Sequence, residues 1–253
     1  SSDTSVVTVD GNGAVTAKNP GTATVTCYEK NSRGIQASCK ITVKLRQVSG
    51  ARISSRAFNK IKISWNAVNG CSRYEIFRRE NGGKEKKITT VSSGTGTWQD
   101  TSVKTGSTYT YRIRAVYVSS GKTTVYGAAS AAISAKAELA KAVAAVTAAS
   151  GPRNTVSWKK ISGASGYYIY RRVQGKGWTR IAAVKSTVFR YQDSSVQGIT
   201  SYAYAVRAYR NVNGKKVLGG RKGGMPEMVF EYILRKNGLD PRKDLHIDQS
   251  IDF

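Results

Sequence analysis

Two stretches of this sequence match each other and decide its fold: ISWNAVNGCSRYEIFRR at residues 63–79 and VSWKKISGASGYYIYRR at residues 156–172. Trp65 corresponds to Trp158, an offset of 93 residues that continues without a gap through the rest of the repeated segment. An ungapped match of this length indicates internal duplication. The chain therefore contains two copies of one domain, which we call copy one and copy two.

The segments inside each copy have the pattern of short β-strands. KIKISW, RYEIFRR and YTYRIRAV in copy one, and NTVSW, YYIYRR and YAYAVRAY in copy two, alternate in polarity and are rich in Ile, Val and Tyr. A repeat of about ninety residues with turn signals between such strands predicts two packed antiparallel sheets. The predicted structural core includes an early tryptophan, Trp65 or Trp158, and a late tyrosine, Tyr109 or Tyr202, whose hydroxyl can bind the preceding corner.

These residues carry a family resemblance. The pattern W-x(8)-Y-x-I-[FY]-R-R, then Q-D-[TS]-S-V, then Y-x-Y-x-[IV]-R-A resembles the fibronectin type III domain, in the form found as tandem modules of bacterial surface proteins. The resemblance covers residues 47–136 and 139–222, so we predict domains at residues 46–137 and 138–222. It implies β-sandwich modules with a structural or adhesive role.

The N-terminal segment, residues 1–45, has a different pattern. Turn signals at Gly11, Gly13 and Pro20-Gly21 separate four predicted strands, too few to close a sandwich by themselves. Its motif S-S-D-T-S-V-x-T-V-D-x-N-G-x-V-T-A-K resembles the C-terminal half of a group 2 bacterial immunoglobulin-like domain, another surface module. We therefore expect the chain to be part of a longer protein.

The cysteines in this segment suggest a cross-link. Cys27 and Cys39 lie on consecutive predicted strands, and a hairpin centred on Arg33 would place them opposite each other. We predict a disulfide between them, the alternative being two small buried thiols. Cys71 stands where copy two has Ala164, which favours a free thiol filling a small site.

The last residues, 223–253, change pattern again. A glycine-rich turn precedes an amphipathic segment that predicts a helix at residues 226–236, which ends at Asn237-Gly238. The segment resembles the strand, turn and helix of ABC-transporter substrate-binding proteins related to nitrate, sulfonate and thiamine-precursor uptake. This resemblance implies a possible anion-binding turn made of Gly220, Arg221, Lys222, Gly223 and Gly224. Because the two patterns overlap at GKKVLGG, we favour a chimeric or truncated chain.

The formal charge of +26 is the largest anomaly of the composition. Such a charge favours anionic partners, here anionic cell-wall or surface polymers, or other surface proteins. Tyrosines interleaved with arginines could stack on nucleic-acid bases, but ordinary strand alternation explains them better, so no specific nucleic acid is predicted. The chain has no apolar run that could span a membrane, and any signal peptide would precede Ser1.

No catalytic or metal site is predicted. His246, the only histidine, has no cysteine near it, and we interpret the repeated Asp100 and Asp193 as turn residues that fix the start of a strand. No cofactor is implied. The sequence thus predicts an all-β chain of tandem immunoglobulin-like and fibronectin type III sandwiches with a short C-terminal helical tail.

Two function classes follow from these resemblances. The first is a non-enzymatic, extracellular structural or adhesive part of a bacterial surface protein. The second, the alternative, is the substrate-binding component of an ABC importer, and it depends on the tail alone.

Overall fold

The computed structural model describes residues 1–30, 32–121, 123–149, 151–197 and 200–219. These residues form nineteen strands joined by turns and loops, and no helix occurs in this part of the chain. The all-β prediction is therefore confirmed for the described residues. The predicted helix at residues 226–236 and the predicted turn at residues 220–224 lie outside them.

The chain divides into two compact units. The first contains Ser1–Arg56, Ile61–Thr101 and Thr108–Ala135, and the second contains Ala57–Lys60, Ser102–Ser107 and the described residues from Lys136 onward. The N-terminal segment thus belongs to the same unit as most of copy one. The four-part division of the sequence stays a prediction.

The N-terminal segment forms the four strands that its turn signals predict. They are β1 (Val7–Val9), β2 (Val15–Ala17), β3 (Gly21–Glu29) and β4 (Ser32–Val43), paired as two separate antiparallel ribbons, β1 with β2 and β3 with β4. The side chains of Val6, Val7 and Ala23 form a small core, against which Ile41 and Val43 pack.

The β3–β4 register corrects the predicted cysteine geometry. Cys27 lies opposite Ala37, and Cys39 lies opposite Val25, so the two cysteines are diagonal neighbours on one face of the ribbon. Diagonal neighbours have Cα atoms about 7–8 Å apart, beyond the usual span of a disulfide. The premise that they oppose each other is wrong, because the paired residues Cys27 and Ala37 are centred on residue 32, one position before the assumed centre at Arg33. Both thiols are exposed and free in this structure, and the disulfide stays a prediction.

Copy one is a sandwich of a three-stranded and a five-stranded sheet. Its strands are β5 (Arg52–Ala57), β6 (Lys60–Ser64), β7 (Arg73–Glu80), β8 (Lys86–Ser92), β9 (Thr97–Asp100), β10 (Thr108–Val118), β11 (Thr124–Tyr126) and β12 (Ile133–Lys136). The smaller sheet has the order β5-β6-β9, and the larger has the order β11-β10-β7-β8, with β12 also paired to β10.

Copy two repeats this arrangement. Its strands are β13 (Ala144–Ala148), β14 (Asn154–Trp158), β15 (Gly166–Val173), β16 (Thr179–Lys185), β17 (Arg190–Asp193), β18 (Tyr202–Val212) and β19 (Lys215–Leu218). The sheets have the orders β13-β14-β17 and β16-β15-β18-β19. Both copies therefore show the strand arrangement expected from their resemblance to fibronectin type III domains.

The predicted core tryptophans and tyrosines all lie against the sandwich interiors. Trp65, Tyr109 and Trp158 are buried, and Tyr202 is half-buried at the margin of the copy-two core. The Gln197 backbone N–H donates a 2.9 Å hydrogen bond to the Tyr202 hydroxyl, which connects β18 to the preceding corner. In copy one the Tyr109 hydroxyl donates to Glu80 at 3.1 Å.

The two repeated aspartates do more than fix a turn. Asp193, at the end of β17, accepts hydrogen bonds at 3.0 Å from Arg171 on β15 and at 2.8 Å from the Tyr204 hydroxyl on β18. These contacts join the three-stranded sheet to the four-stranded sheet across the core. The interpretation of this aspartate as a turn residue is therefore incomplete, because its carboxylate also binds Arg171 on the facing sheet.

Copy one contains the same inter-sheet connection. Asp100 accepts hydrogen bonds at 2.7 Å from Arg78 and at 2.8 Å from the Tyr111 hydroxyl. Both aspartate side chains are 2% exposed, so each copy contains an ion pair with a buried carboxylate.

Candidate binding face

The outer face of the larger sheet in copy one is built around a carboxylate. Glu75 points away from the sandwich interior, yet its side chain is only 4% exposed, because two cations cover it. Arg114, directly opposite on β10, binds it at 2.6 Å, and Lys87 on β8 binds it at 3.1 Å. Strand alternation explains this geometry, because residues 75, 87 and 114 all lie on the outer side of neighbouring strands.

Electrostatics fix the charge state of this carboxylate. Burial raises the pKa of Glu75, but the hydrogen bonds from Arg114 and Lys87 outweigh the burial, and the net direction is downward. Glu75 is thus a charged carboxylate that neutralises the neighbouring Arg114 and Lys87. Nearby, Arg79 and Arg112 approach a second carboxylate, Glu85, at 3.5 and 3.9 Å.

The corresponding face of copy two contains rings where copy one contains carboxylates. At the offset of 93 residues, Tyr168 replaces Glu75 and Trp178 replaces Glu85. The Tyr168 ring stacks on the Tyr209 ring, with centroids 4.7 Å apart and an interplanar angle of 28°, and meets Tyr170 edge-on at 6.4 Å.

A glycine makes room for this stack. Gly166 on β15 pairs with Tyr209 on β18, and a Cβ atom at Gly166 would lie 2.5 Å from the Tyr209 hydroxyl oxygen. Copy one has Arg73 at the equivalent position. The absence of a side chain at residue 166 is therefore what allows the Tyr209 ring to lie across the neighbouring strand.

Basic side chains converge on the central ring from both edges of the sheet. Arg180, on the edge strand β16, lies 4.7 Å from the Tyr168 centroid, and Lys216, on the opposite edge strand β19, lies 5.6 Å from it. Lys216 also lies 5.1 Å from the Tyr209 centroid. Such contacts attract cations to the electron-rich ring faces. We call this surface the cationic face and define it by Tyr168, Tyr170, Arg180, Arg207, Tyr209 and Lys216.

The ends of the cationic face are also basic. The Arg172 guanidinium lies 5.2 Å from the centroid of Trp178, and burial lowers the pKa of this arginine. Lys185 on β16 is exposed and pairs with Gly166 on the same side of the sheet. The basic groups therefore extend across the sheet.

Acidic residues are almost absent from copy two. Between residues 139 and 219 the sequence has fourteen lysines and arginines but one acid, Asp193. Its carboxylate faces the interior, where it binds Arg171, Ser195 and Tyr204. Burial raises the pKa of Asp193, whereas those hydrogen bonds lower it and prevail, so this anion stays charged inside the core.

This arrangement can hold anions. Guanidinium and ammonium groups are donors without acceptor capacity, so they complement oxygen acceptors such as phosphate and carboxylate. Within the described ranges, no group of three histidine, cysteine, aspartate or glutamate side chains lies close enough to hold a metal ion.

Alternation in the sequence predicts which side chains face outward, and the structure confirms that Tyr168 and Tyr170 lie opposite in sense to Tyr167 and Ile169. The sequence patterns did not predict that this face combines aromatic rings with basic side chains. The available signal was the substitution of Glu75 and Glu85 by aromatic residues in the second repeat. The predicted anion-binding turn at residues 220–224 lies outside the described residues.

Comparisons with known proteins agree with parts of this description. The model of the family described as "Bacterial Ig-like domain (group 2)" matches residues 1–41. A protein of Bacillus subtilis (strain 168) named "Putative binding protein YtlA" is 57% identical over 42 residues, which are 17% of this chain and 13% of that protein. The chain thus matches a small part of that curated relative.

Solved structures similar to this chain include fibronectin type III tandems. A two-domain fibronectin type III segment from chicken tenascin has a TM-score of 0.39 at 14% identity, covering 68% of this chain and 97% of that one. The FN1–FN3 domains of chicken CNTN1 have a TM-score of 0.32 at 16% identity, covering 73% of this chain and 68% of that one. In the described part of the chain, no helix has the length and apolar character that crossing a membrane requires.

Proposed function

We propose that this chain is a non-catalytic, extracellular part of a bacterial surface protein. In this proposal the two copies act as spacers and as weak binding modules for anionic polymers of the cell wall, of a host surface or of a polysaccharide. The match of residues 1–41 to a bacterial immunoglobulin-like domain supports the surface assignment, and the two sandwiches support a structural or binding role.

One observation carries the binding proposal: the positive charge lies in the two copies. Residues 1–45 contain five basic and three acidic residues, whereas residues 47–136 contain fifteen against four and residues 139–219 contain fourteen against one. A field of one sign attracts polyanions without demanding a defined sequence. A spacer that only separated other domains would not need such a charge.

The importer alternative is less favoured. It depends on tail residues beyond the described part of the chain and on resemblance over a short segment. The sandwich copies account for most of the described residues. An importer component would instead bind one small molecule with little dependence on salt.

The test is retention of the full chain on an immobilised polyanion, with poly(glycerol phosphate) as the probe and neutral dextran as the control matrix. We expect retention on the polyanion only, with the logarithm of the affinity falling linearly as the logarithm of the salt concentration rises. The same retention on dextran, or no retention on the polyanion at low salt, would refute the proposal.

A further inference from the structure

The second repeat has lost an anion but has kept the cations that surrounded it. In copy one, Glu75 is bound by Lys87 and Arg114. At the offset of 93 residues these two bases correspond to Arg180 and Arg207, so both positions remain basic in copy two. The position between them is now Tyr168.

The geometry of copy two keeps these positions together. Arg207 lies directly opposite Tyr168 in the β15–β18 register, as Arg114 lies opposite Glu75 in the β7–β10 register. Arg180 lies 4.7 Å from the Tyr168 centroid, and Lys216 adds a further cation at 5.6 Å. Cations gathered in one place repel each other unless an anion lies among them.

We propose that the cationic face of copy two binds a linear phosphodiester polymer without bases, whose phosphate groups supply the negative charge that Glu75 supplies in copy one. This inference rests on the proposed function and assigns it to one face of one copy. Copy one, with its own carboxylates in place, binds such a polymer far more weakly through its equivalent face.

The donor chemistry of the face favours a phosphate over an uncharged sugar. Arg180, Arg207 and Lys216 offer only N–H donors, which require acceptor oxygens on the ligand. A guanidinium fork matches two non-bridging oxygens of one phosphate. A repeating polymer can meet the several basic side chains that extend across the sheet.

The burial of the Tyr168 ring disfavours a nucleic acid as the ligand. Single-stranded nucleic acids bind to open aromatic surfaces by base stacking. Tyr168 is 7% exposed, because Tyr209 stacks on it and two cations approach it. This ring therefore positions charged groups and presents little surface on which a base could stack.

The sharpest experiment converts one copy into the other. Tyr168→Glu restores the carboxylate of copy one between Arg180 and Arg207, at a position where copy one carries a glutamate. We expect affinity of the full chain for poly(glycerol phosphate) at low salt to fall about tenfold, and the salt dependence to become shallower by about two ionic contacts.

The matched control is Lys159→Gln, which changes the net charge by the same amount. Lys159 is exposed in copy two, in the loop after β14, and is not part of the cationic face. We expect it to change the affinity less than twofold. Equal losses in the two variants would overturn the inference, because net charge alone would then explain binding. Amide exchange of β15 and β18 verifies that Tyr168→Glu is folded.

A second pair of variants keeps the test informative if Tyr168→Glu disturbs folding. Arg180→Gln combined with Lys216→Gln removes two exposed cations and leaves the buried ring in place. Lys159→Gln combined with Lys160→Gln is its control. We expect about a tenfold loss in the first and less than a threefold loss in the second. Comparable losses would overturn the proposed site.

Two other probes test the ligand class. We expect polygalacturonate, which carries carboxylates, and oligo(dT), which carries bases, to bind more weakly than poly(glycerol phosphate) at equal charge concentration. Tighter binding of either would overturn the assignment to a base-free phosphodiester. If the wild-type chain binds poly(glycerol phosphate) steeply with salt and Tyr168→Glu does so equally, the face assignment fails and the proposed function stands. If the wild-type chain binds no polyanion, both fail.

Discussion

The outer faces of copy one and copy two have basic residues at equivalent positions, but the two surfaces differ in charge and in aromatic content. In copy one a nearly buried carboxylate, Glu75, neutralises its neighbours. In copy two the same position holds Tyr168, and an aromatic cluster supports the cations without neutralising them. A duplicated sandwich can thus keep its framework and change what it presents to solvent by substitutions at a few outward positions.

The interiors of the copies differ much less. Each contains a buried aspartate at the end of the third strand of its smaller sheet, bound by an arginine and a tyrosine of the larger sheet. Desolvation on burial raises the pKa of Tyr204, and the Asp193 carboxylate raises it further. The Tyr204 hydroxyl therefore remains a hydrogen-bond donor. The two copies therefore share their interior ion pair, which we call the shared frame, and differ on the outer face of the larger sheet, which we call the variable face.

The largest expected effect comes from breaking the shared frame. Asp193→Ala leaves the Arg171 guanidinium, whose side chain is 22% exposed, without its buried anion, and we expect copy two to lose about 3–5 kcal/mol of unfolding free energy. Hydrogen exchange of β15 and β18, measured with denaturant titration, checks the loss in that copy.

Asp100→Ala is the matched variant in copy one and should destabilise β7 and β10 by a similar amount. If either substitution changes stability by less than about 1 kcal/mol, the aspartate is a turn residue as its sequence context suggested.

A smaller effect is expected from the variable face. Glu75→Ala removes the central anion of copy one, but Arg114 and Lys87 are 32% and 51% exposed and can turn to solvent. We therefore expect copy one to lose about 1–2 kcal/mol, as for a hydrogen-bonded charged group at a partly exposed site. Denaturant unfolding, followed by hydrogen exchange of β7 and β10, measures it.

The same substitution sharpens the functional comparison. Glu75→Ala should increase the affinity of the full chain for poly(glycerol phosphate), because it frees two cations on copy one. An unchanged affinity would contradict the view that internal carboxylates close that face to polyanions.

Low pH should destabilise both copies, because each contains a carboxyl group whose pKa is lowered in the folded protein. The pKa values of Glu75 and Asp193 are lowered in the folded protein, from ordinary values of 4.5 and 3.8. A lowered carboxyl pKa contributes stability above the unfolded-state value, and that stability is lost as the pH falls through the folded-state value. We expect little change from pH 7 to 5 and a progressive loss below about pH 4.5.

Variants separate the two contributions to this acid effect. Glu75→Gln should flatten the pH dependence of copy one below pH 4.5, and Asp193→Asn that of copy two, as followed by copy-resolved hydrogen exchange. Increasing stability on acidification in the wild-type chain would contradict both assignments.

Much of the framework could be predicted because repetition and alternation are local signals. The duplication, the strands of RYEIFRR and YYIYRR and the burial of Trp65 and Trp158 all follow from spacing. The register of β3 and β4 could not be predicted, since it changes at a bulge between Tyr28 and Glu29 that the alternation of the sequence does not reveal.

The candidate face could be predicted only in part. Alternation indicates that Tyr168 faces outward, but it contains no information about the approach of Arg180 and Lys216 from two other strands. The buried role of Asp193 was likewise hidden, because Arg171 is its partner across the sandwich and lies on a different sheet. Contacts between sheets are set by packing, which local sequence patterns do not encode.

The smallest expected effect concerns two glycines at equivalent positions, Gly121 and Gly214. In copy two, Asn213 and Gly214 form a two-residue hairpin turn with φ values of 49° and 75°, a left-handed pair that suits Asn-Gly. In copy one the loop from Val118 to Thr124 is longer, and Gly121 does not have a left-handed φ.

Gly214→Ala should therefore destabilise copy two by about 1 kcal/mol, because a Cβ atom disfavours positive φ although no neighbouring atom lies within 4 Å of it. Gly121→Ala should leave copy one unchanged or slightly more stable, because its Cβ would meet only the Ser119 hydroxyl at 3.8 Å. Denaturant unfolding of the two variants, with hydrogen exchange of β10 and β18, measures the difference. Equal effects would mean that the two hairpins share one conformation, and the longer loop of copy one would then have to contain a left-handed glycine as well.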